Sequence, residues 1–490
     1  MFEQLKKLGR HSLVYGFGIL LTNSIAFVMI PIYTRFLTTA DYGILEIINR
    51  TSEILGIILI GGLGLTVLRF YQDSDQKEHQ NTVVSTAILW MLAFGSLALV
   101  VLLSQAAPIS QLLLGSGQYT IFIRLMLGTL YFDLFFVIPI VYIQAQIKSL
   151  LYILVSVGKF VVGVSLNIYF VCYLKIGIKG VLTANLLNSA LFGIVLLILT
   201  MQKVGIKFNL PLWKKMLGFA LPFVPGSLFL FILNNGDRYF LKMFCSNQIV
   251  GLYALGYRIG TLAVLFIMSP FVRVWNALMV EISRRDDFKI VFGRIFTYVM
   301  LIYVFVGLGL AVLNRELLMI MAGPSYWDAS KIVPFIILAY LFWAISLVMD
   351  AGFYITKKTY YKPFLFGMAA AINVFLYWYL IPRYNMLGAA WATVISFAFF
   401  ATLSWKVVNT IYPVKYDYVR FFKMTLLAAL IYFISIFIRL ENFWLQVTVK
   451  SLLVLGFPFF LYFLGFFLED EKSKALLILK PYILKLGFRI

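Results

Sequence analysis

The residues of this sequence that are best placed for chemistry are charged side chains within long apolar segments. They are five cations and four acids: Arg50, Arg124, Lys159, Arg258 and Lys450, with Glu46, Glu53, Asp133 and Asp350. A charge at the middle of a membrane-spanning helix costs roughly 2.5 to 3.5 kcal/mol. Each of these residues therefore needs a role, which is to bind a ligand, to couple transport to an ion, or to pair with another charge.

Arg258 has no acidic neighbour on its own helical face. The positions three and four residues away hold apolar or hydroxyl side chains: Ala254, Leu255, Thr261 and Leu262. Its partner must therefore come from another helix or from a substrate. Because a guanidinium is a planar, permanently charged fork that matches phosphate oxygens, we predict that Arg258 lines a cavity for an anion.

Arg50 has two interpretations that the sequence leaves open. Glu46 lies four residues before it and Glu53 three residues after it, so both acids share its helical face. Pairing with these acids explains Arg50 as well as a cavity role does. If Arg50 and Arg258 both line the cavity, the two could hold a diphosphate between them.

The other internal charges have structural explanations as well as functional ones. Lys159 can pair with Asp133 from the preceding segment, and Arg124 lies near the outer end of its segment, where a long side chain can extend to water. We keep Lys159 and Arg124 as candidate cavity cations, and we place Lys450 at the membrane interface. The four internal acids are candidates for binding a coupling proton or cation, and ion pairing explains them equally well.

The sequence offers no metal, thiol or nucleotide site. Its two cysteines, Cys172 and Cys245, and its two histidines, His11 and His79, have neither the spacing of a zinc site nor that of a disulfide framework. There is no Gly-x-x-x-x-Gly-Lys-Ser/Thr stretch, so this chain is not expected to hydrolyse a nucleotide. We predict no cofactor, no metal and no catalytic residue, and hence a protein that is not an enzyme.

The elements that position these charges are membrane helices. The chain has 490 residues, of which 62% are hydrophobic and 12% charged, far from the composition of a soluble domain. Apolar runs of 20 or more residues recur, each long enough to cross a hydrocarbon core about 30 Å thick, and lipid forces such runs to be helical. We predict an all-α polytopic membrane protein with about 14 spans, near residues 12–37, 41–68, 82–104, 119–145, 150–174, 177–201, 214–236, 248–273, 290–313, 331–356, 361–381, 386–411, 418–438 and 443–467.

Basic residues set the orientation of these spans. If the amino terminus is cytoplasmic, the cytoplasmic connections hold about three times as many lysines and arginines as the external ones. Both termini are therefore predicted in the cytoplasm, residues 469–490 along the inner membrane surface, and Arg238 in an external connection. The net charge of +21 is spread over many short connections, so nucleic acid is not an expected partner.

An internal repeat relates the two halves of the chain. A shift of 208 residues aligns residues 42–45 with 250–253 and residues 180–184 with 388–392, and it places Arg50 on Arg258. Six spans separate the copies, so both halves cross the membrane in the same direction as parallel repeats. We predict an amino-terminal lobe of six helices (1–208), a second six-helix lobe (209–412), and two further helices with a cytoplasmic tail (413–490). A cavity between the lobes would open to either side in turn.

Several motifs resemble one family of membrane proteins, the polysaccharide exporters of the multidrug/oligosaccharidyl-lipid/polysaccharide (MOP) superfamily, which includes the O-antigen flippases. The resemblance covers the first 12 spans and is carried by PIYTRFL at 31–37, DYGILE at 41–46, GLG at 62–64, LRFY at 68–71, DRYF at 237–240 and VGLY at 250–253.

This resemblance implies a MATE-like fold with a cationic central cavity. It also implies alternating access that moves an undecaprenyl-pyrophosphate-linked oligosaccharide, an O-antigen or capsule repeat unit, to the outer leaflet of the bacterial inner membrane. Arg35, Arg50 and Arg258 resemble the cavity cations of such flippases. The partners implied are the lipid-linked glycan, membrane lipid, and the polymerase and chain-length proteins of the same pathway.

Three alternatives remain open. A lipid II flippase of peptidoglycan synthesis differs from the preferred interpretation only in its substrate. A multidrug antiporter usually has an acidic residue deep in its first span, and residues 12–37 contain no Asp or Glu. A membrane enzyme that polymerises or ligates the lipid-linked glycan would need a long external catalytic loop, whereas the connections here are short.

Overall fold

The computed structural model describes residues 27–471, and every regular element in that range is helical. The α-helices, in chain order, are α1 (Ile30–Phe36), α2 (Thr39–Ile60), α3 (Leu63–Gln72), α4 (Lys77–Ser104), α5 (Ala106–Leu114), α6 (Thr120–Ala145), α7 (Ser149–Asn167), α8 (Gly177–Val204), α9 (Leu210–Ala220), α10 (Phe223–Asn235), α11 (Asp237–Phe244), α12 (Asn247–Gly260), α13 (Ser269–Ile282), α14 (Phe288–Val312), α15 (Asn314–Met321), α16 (Val333–Met349), α17 (Ala351–Ile355), α18 (Tyr361–Ile411), α19 (Tyr418–Phe437), α20 (Phe443–Leu455) and α21 (Phe457–Phe463). The all-α prediction is confirmed.

Twelve helical segments of the described residues are long and apolar enough to cross a membrane. They are Thr39–Gln72, Lys77–Ser104, Gly117–Ala145, Ser149–Tyr173, Gly177–Val204, Leu210–Asn235, Asn247–Asn276, Phe288–Val312, Val333–Ile355, Tyr361–Ile411, Tyr418–Phe437 and Phe443–Phe463. Each begins and ends within several residues of a predicted span or pair of spans. The prediction of a polytopic membrane protein is therefore confirmed.

The longest segment, α18, contains two of the predicted spans. Its 51 residues correspond to about 77 Å of helix, more than twice the thickness of a hydrocarbon core. Asn385 interrupts the helix with φ 50° and ψ −129°. On either side of this break, Ser396 Oγ donates to Asn373 Oδ1 at 3.0 Å. The chain therefore reverses at Asn385, between the predicted spans 361–381 and 386–411.

Two predicted segments fall wholly or largely outside the described residues. Helix α1 belongs to the end of the first predicted span, 12–37, and the preceding part of that span lies outside the described range. The tail beyond residue 471 also lies outside it. The count of about 14 spans therefore stays a prediction at the amino-terminal end.

Two compact units account for the described chain. The first contains the described residues through Arg258, with Leu318–Ile332 and Thr359–Phe400, and the second contains the remainder. A core around Trp213 and Met216 lies in the first unit, and a core around Trp275 and Phe292 lies in the second. The division into lobes at residues 208 and 412 stays a prediction.

Helices α2 and α12 approach each other through equivalent glycines of the repeat. A Cβ atom on Gly43 would overlap the backbone oxygen of Asn247, and a Cβ atom on Gly251 would overlap that of Thr39. Gly43 and Gly251 are 208 residues apart, and so are Thr39 and Asn247. The two contacts are therefore reciprocal, as a two-fold repeat requires, and only glycine permits so close a crossing.

Candidate functional site

Three arginines and three acids meet within the first unit, and we call them the charge cluster. Its members are Glu46, Arg50 and Glu53 of α2, Asp237 and Arg238 of α11, and Arg258 of α12. A capping box fixes the start of α2, since Thr38 Oγ1 accepts a hydrogen bond from Asp41 N and Asp41 Oδ2 accepts one from Thr38 N. The cap fixes where α2 begins, and Glu46, Arg50 and Glu53 follow on one face of that helix.

Glu46 lies at the centre of the charge cluster and is only 2% exposed. Its Oε1 accepts a hydrogen bond from Arg50 Nε at 2.9 Å and lies 3.6 Å from Arg238 Nε. Its Oε2 lies 3.5 Å from Arg258 Nη2. Because a buried carboxylate without cations would be strongly unfavourable, these three arginines explain how Glu46 stays inside the protein.

Arg50 connects the centre of the charge cluster to its accessible edge. Its Nη1 donates to Glu53 Oε2 at 2.5 Å and to Asn235 Oδ1 at 3.1 Å, and the Asn235 amide also donates to Glu53. The Arg50 side chain is 23% exposed. Both pairings that the sequence left open, with Glu46 and with Glu53, are therefore present.

Arg238 and its neighbour Asp237 are the two members of the charge cluster that sequence reasoning missed. Arg238 was expected in an external connection, but its side chain is 3% exposed and donates to Asp237 Oδ1 and to the Asn234 carbonyl. Its guanidinium lies 3.9 Å from the centre of the Tyr257 ring. The sequence feature that could have indicated burial of Arg238 is Asp237 directly before it, because an adjacent acid can neutralise a buried cation.

Arg258 has the partner from another helix that the sequence allowed, namely Glu46 of α2. The Tyr42 ring centre lies 5.6 Å from its guanidinium carbon, and the side chain is 20% exposed. Arg50 and Arg258, which are equivalent in the repeat, therefore contact the same carboxylate while part of each remains accessible.

The other predicted site residues lie in different places. Lys159 pairs with Asp133 at 2.9 Å, as expected, and Ser189 Oγ donates to the same carboxylate oxygen. Arg35 on α1 and Arg124 on α6 are exposed. The structure therefore brings four of the predicted residues into the charge cluster, and it joins Lys159 with Asp133 in a separate ion pair.

Two further internal charges lie in the second unit. Asp350 is buried directly before α17. Lys450, which was expected at the membrane interface, is buried instead, and its Nζ lies 2.5 Å from Glu316 Oε1. Glu316 comes from a distant part of the chain, so helical spacing could not predict that it supplies a counter-charge to Lys450 inside the protein.

Arg50 and Arg258 are the two arginines of the charge cluster that are partly exposed. Two permanently charged guanidiniums reach accessible space, and each could bind phosphate oxygens through more than one N–H. Among residues 27–471, no group of three or more His, Cys, Asp or Glu side chains is arranged to hold a metal ion.

Comparisons with solved structures show which fold the chain adopts. A lipid II flippase MurJ in an inward closed conformation matches 93% of this chain and 99% of its own, with 14% identity and a TM-score of 0.72. An inward-facing multidrug resistance MATE transporter of the MOP superfamily matches 79% and 94%, with 15% identity and a TM-score of 0.64. A MOP superfamily transporter from Pyrococcus furiosus matches 82% and 95%, with 14% identity and a TM-score of 0.57.

A sequence comparison identifies the family. No curated protein sequence is similar enough to this chain to count as a relative. The family model described as polysaccharide biosynthesis protein matches residues 8–283, which is more than half of the chain. The chain therefore belongs to the polysaccharide biosynthesis protein family, and it has the fold of the MurJ and MATE transporters of the MOP superfamily.

Proposed function

We propose that this protein is a flippase for an undecaprenyl-pyrophosphate-linked oligosaccharide. Its cargo is the repeat unit of an O-antigen, a capsule or an exopolysaccharide. It moves this cargo from the cytoplasmic to the outer leaflet of the bacterial inner membrane by alternating access, and both of its termini lie in the cytoplasm. The observation that carries this proposal is the shared contact of Arg50 and Arg258 with Glu46 while both arginines stay partly exposed.

The chemistry of the two arginines favours a diphosphate headgroup. Each guanidinium can donate two parallel hydrogen bonds to a phosphate, so two of them can hold the two phosphates of one headgroup. The family supports a glycan cargo. Glu46, Glu53, Asp133 and Asp350 remain candidates for a coupling ion, although each of the four also has a structural explanation as a paired or buried group.

A lipid II flippase is the second candidate, because the MurJ fold matches over 93% of this chain. At 14% identity this match supports the fold alone, and the charge cluster would serve either lipid-linked cargo. Depletion of a lipid II flippase would make peptidoglycan precursors accumulate, whereas depletion of the proposed oligosaccharide flippase would not. Analysis of the lipid-linked intermediates in depleted cells therefore distinguishes the two candidates.

The direct test is the leaflet location of the lipid-linked glycan in cells depleted of this protein. Intact spheroplasts are treated with a membrane-impermeant glycan label, and a second sample is permeabilised first. We expect complete repeat units that are labelled only after permeabilisation, because the flipping step has stopped. If single units accumulate on the outer face, flipping is intact and the protein acts later, as a polymerising or ligating enzyme would.

Arg258→Ala tests the assignment of the anion site. We expect surface polysaccharide to be lost although the variant is inserted at wild-type level, because half of the diphosphate contact is removed. Arg258→Lys should keep part of the activity if charge alone matters, and should lose most of it if a bidentate fork is required. The control is Arg285→Ala, which removes an exposed arginine that pairs with Asp287. Normal export by Arg258→Ala would contradict the assignment.

A further inference from the structure

We infer that Arg238 is a positioning residue that does not contact the transported anion: it retains the Glu46 carboxylate while the anion occupies Arg50 and Arg258. This inference rests on the proposed function, since it concerns the same two arginines. It assigns different roles to three arginines that contact one acid.

Arg238 is held too firmly and too deep to reach an anion. Its Nη1 donates to Asp237 Oδ1 and to the Asn234 carbonyl, and its guanidinium stacks on Tyr257. Asp237 is itself held by the Tyr253 hydroxyl, which donates to Oδ2 at 2.6 Å. With 3% exposure against 23% for Arg50 and 20% for Arg258, Arg238 is the fixed cation of the three.

The hydrogen bonding of Glu46 leaves room for an exchange of partners. Its Oε1 makes a full hydrogen bond with Arg50 Nε at 2.9 Å, whereas Arg238 Nε lies 3.6 Å from the same oxygen. Arg238 Nε is buried and has no hydrogen-bond acceptor among the described residues. A buried donor without an acceptor is unfavourable, and a shift of Glu46 by less than about 1 Å would bring it to hydrogen-bond distance.

Charge balance couples this shift to anion binding. The three arginines and three acids of the charge cluster carry equal and opposite formal charges. An anion that binds Arg50 and Arg258 takes cations away from Glu46, and a buried carboxylate left without a cation is strongly unfavourable. Arg238 prevents this because it keeps one cation beside Glu46 that the anion cannot reach.

The same geometry provides for release of the anion. While the anion is bound, Glu46 pairs with Arg238 but stays close to Arg50 and Arg258. Because it carries the same sign of charge as the anion, it competes with the anion for these two arginines. Its return to Arg50 Nε displaces the anion, and Arg238 Nε then loses its acceptor again. Glu46 therefore limits the affinity of the site, and Arg238 limits how strongly Glu46 competes.

The test is a set of binding measurements on the full-length protein in lipid nanodiscs, with inorganic pyrophosphate as the probe and isothermal titration calorimetry as the readout. The proteins are the wild type, Glu46→Gln, Asp237→Asn with Arg238→Gln, and the triple variant. The paired substitution removes an acid and a base together, so no uncompensated buried charge remains. Arg238→Lys, which keeps the charge, is the conservative control.

We expect Glu46→Gln to bind pyrophosphate about tenfold more tightly than the wild type, because the competitor is neutralised. The paired variant should bind about tenfold more weakly, because Glu46 then competes more strongly for Arg50 and Arg258. The triple variant should bind as Glu46→Gln does, and Arg238→Lys should stay close to the wild type.

The contradicting outcomes separate this inference from the proposed function. If the paired substitution weakens binding equally with and without Glu46→Gln, Arg238 contacts the anion itself or supports the fold, and the inference is wrong. If the paired substitution changes nothing, the inference is also wrong. If the wild type binds no pyrophosphate, the anion site of the proposed function fails, and the roles assigned to all three arginines fail with it.

Discussion

At the scale of single residues, Lys450 and Glu316 form a buried ion pair within the second unit. Lys450 Nζ and Gln446 Nε2 both donate to Glu316 Oε1 at 2.5 Å. The other oxygen, Glu316 Oε2, is buried and has no hydrogen-bond partner among the described residues. Loss of the lysine would therefore leave a buried carboxylate with no cation that the structure places beside it.

We expect Lys450→Ala to lower the free energy of unfolding by about 3 to 5 kcal/mol, because it leaves a buried charge uncompensated. The measurement is thermal or denaturant unfolding of the purified protein in detergent. The control is Lys331→Ala, which breaks an exposed pair with Asp328 at 2.8 Å and should cost no more than about 1 kcal/mol. Equal effects of the two substitutions would contradict a structural role for the buried pair.

Arg420 forms a second charged group, which makes stability depend on pH. It pairs with Asp417 at 2.7 Å and with Glu471 at 3.0 Å. Burial opposes the ionisation of both acids, but hydrogen bonds from Arg420 and from backbone N–H groups outweigh it and lower the pKa of Asp417 and of Glu471. An acid whose pKa is lowered by folding stabilises the protein above its ordinary pKa, and this stabilisation is lost as the pH falls through the lowered pKa.

We therefore expect the unfolding temperature to fall as the pH drops below about 4, the ordinary pKa range of these acids. Asp417→Asn combined with Glu471→Gln should make that fall shallower, because two of the titrating groups are gone, while lowering stability at neutral pH. The measurement is the unfolding temperature of both proteins between neutral and acidic pH. The same dependence in both would show that these acids do not contribute.

Residue pairs were predictable from the sequence only where the chain itself brings them together. Arg50 lies about one turn after Glu46 and one turn before Glu53 in α2, so helical spacing was enough to suggest those pairs. The approach of Arg238 and Arg258 to Glu46 joins residues about 200 positions apart, and it depends on how α2 packs against α11 and α12. Helical periodicity contains no information about such packing.

At the scale of helices, the crossing of α2 and α12 depends on the absence of side chains at Gly43 and Gly251. A Cβ atom at either position would overlap a backbone oxygen of the partner helix. These oxygens belong to Thr39 and Asn247, the first residues of α2 and α12, and a helical backbone cannot rotate aside as a side chain can. The two helices would therefore have to separate to admit even an alanine.

We expect Gly43→Ala to lower the free energy of unfolding by about 1 to 3 kcal/mol and to reduce export, because α2 also carries Glu46 and Arg50. The control is Gly56→Ala in the same helix, where the nearest atom to an added Cβ is Leu130 Cδ1 at 3.8 Å, so the substitution should be tolerated. Thermal unfolding and surface polysaccharide are measured for both variants. A Gly43→Ala protein as stable as Gly56→Ala would contradict a close helix crossing.

Most helices were predictable because lipid imposes one solution on a long apolar segment. The break at Asn385 was predictable for the same reason, since Pro382, Arg383 and Asn385 interrupt the apolar run between two predicted spans. The short helices α5, α11 and α15 were not predicted as separate elements. The ends of these short helices depend on contacts with other parts of the chain, which the hydropathy of the sequence does not predict.

At the scale of the whole molecule, the predicted orientation and the reversal within α18 make one joint prediction. A chain that turns at Asn385 has Tyr384 on one side of the membrane, with Tyr360 and Lys415 on the other. The excess of basic residues in alternate connections places Tyr384 outside. All three side chains are exposed in the structure, so a cysteine at each position should react with a thiol reagent that can reach it.

We expect Tyr384→Cys to be labelled by a membrane-impermeant maleimide in intact spheroplasts, and Tyr360→Cys and Lys415→Cys only after permeabilisation. Cys172→Ser and Cys245→Ser remove the native thiols, and that background protein is the control. Labelling of all three positions on permeabilisation shows that each cysteine is reactive, so protection in intact spheroplasts reports location. If Tyr360→Cys and Lys415→Cys lie on opposite sides, α18 crosses once and the reversal at Asn385 is wrong. If the pattern is complete but inverted, the reversal at Asn385 holds, the termini lie outside the cytoplasm, and the proposed orientation is wrong.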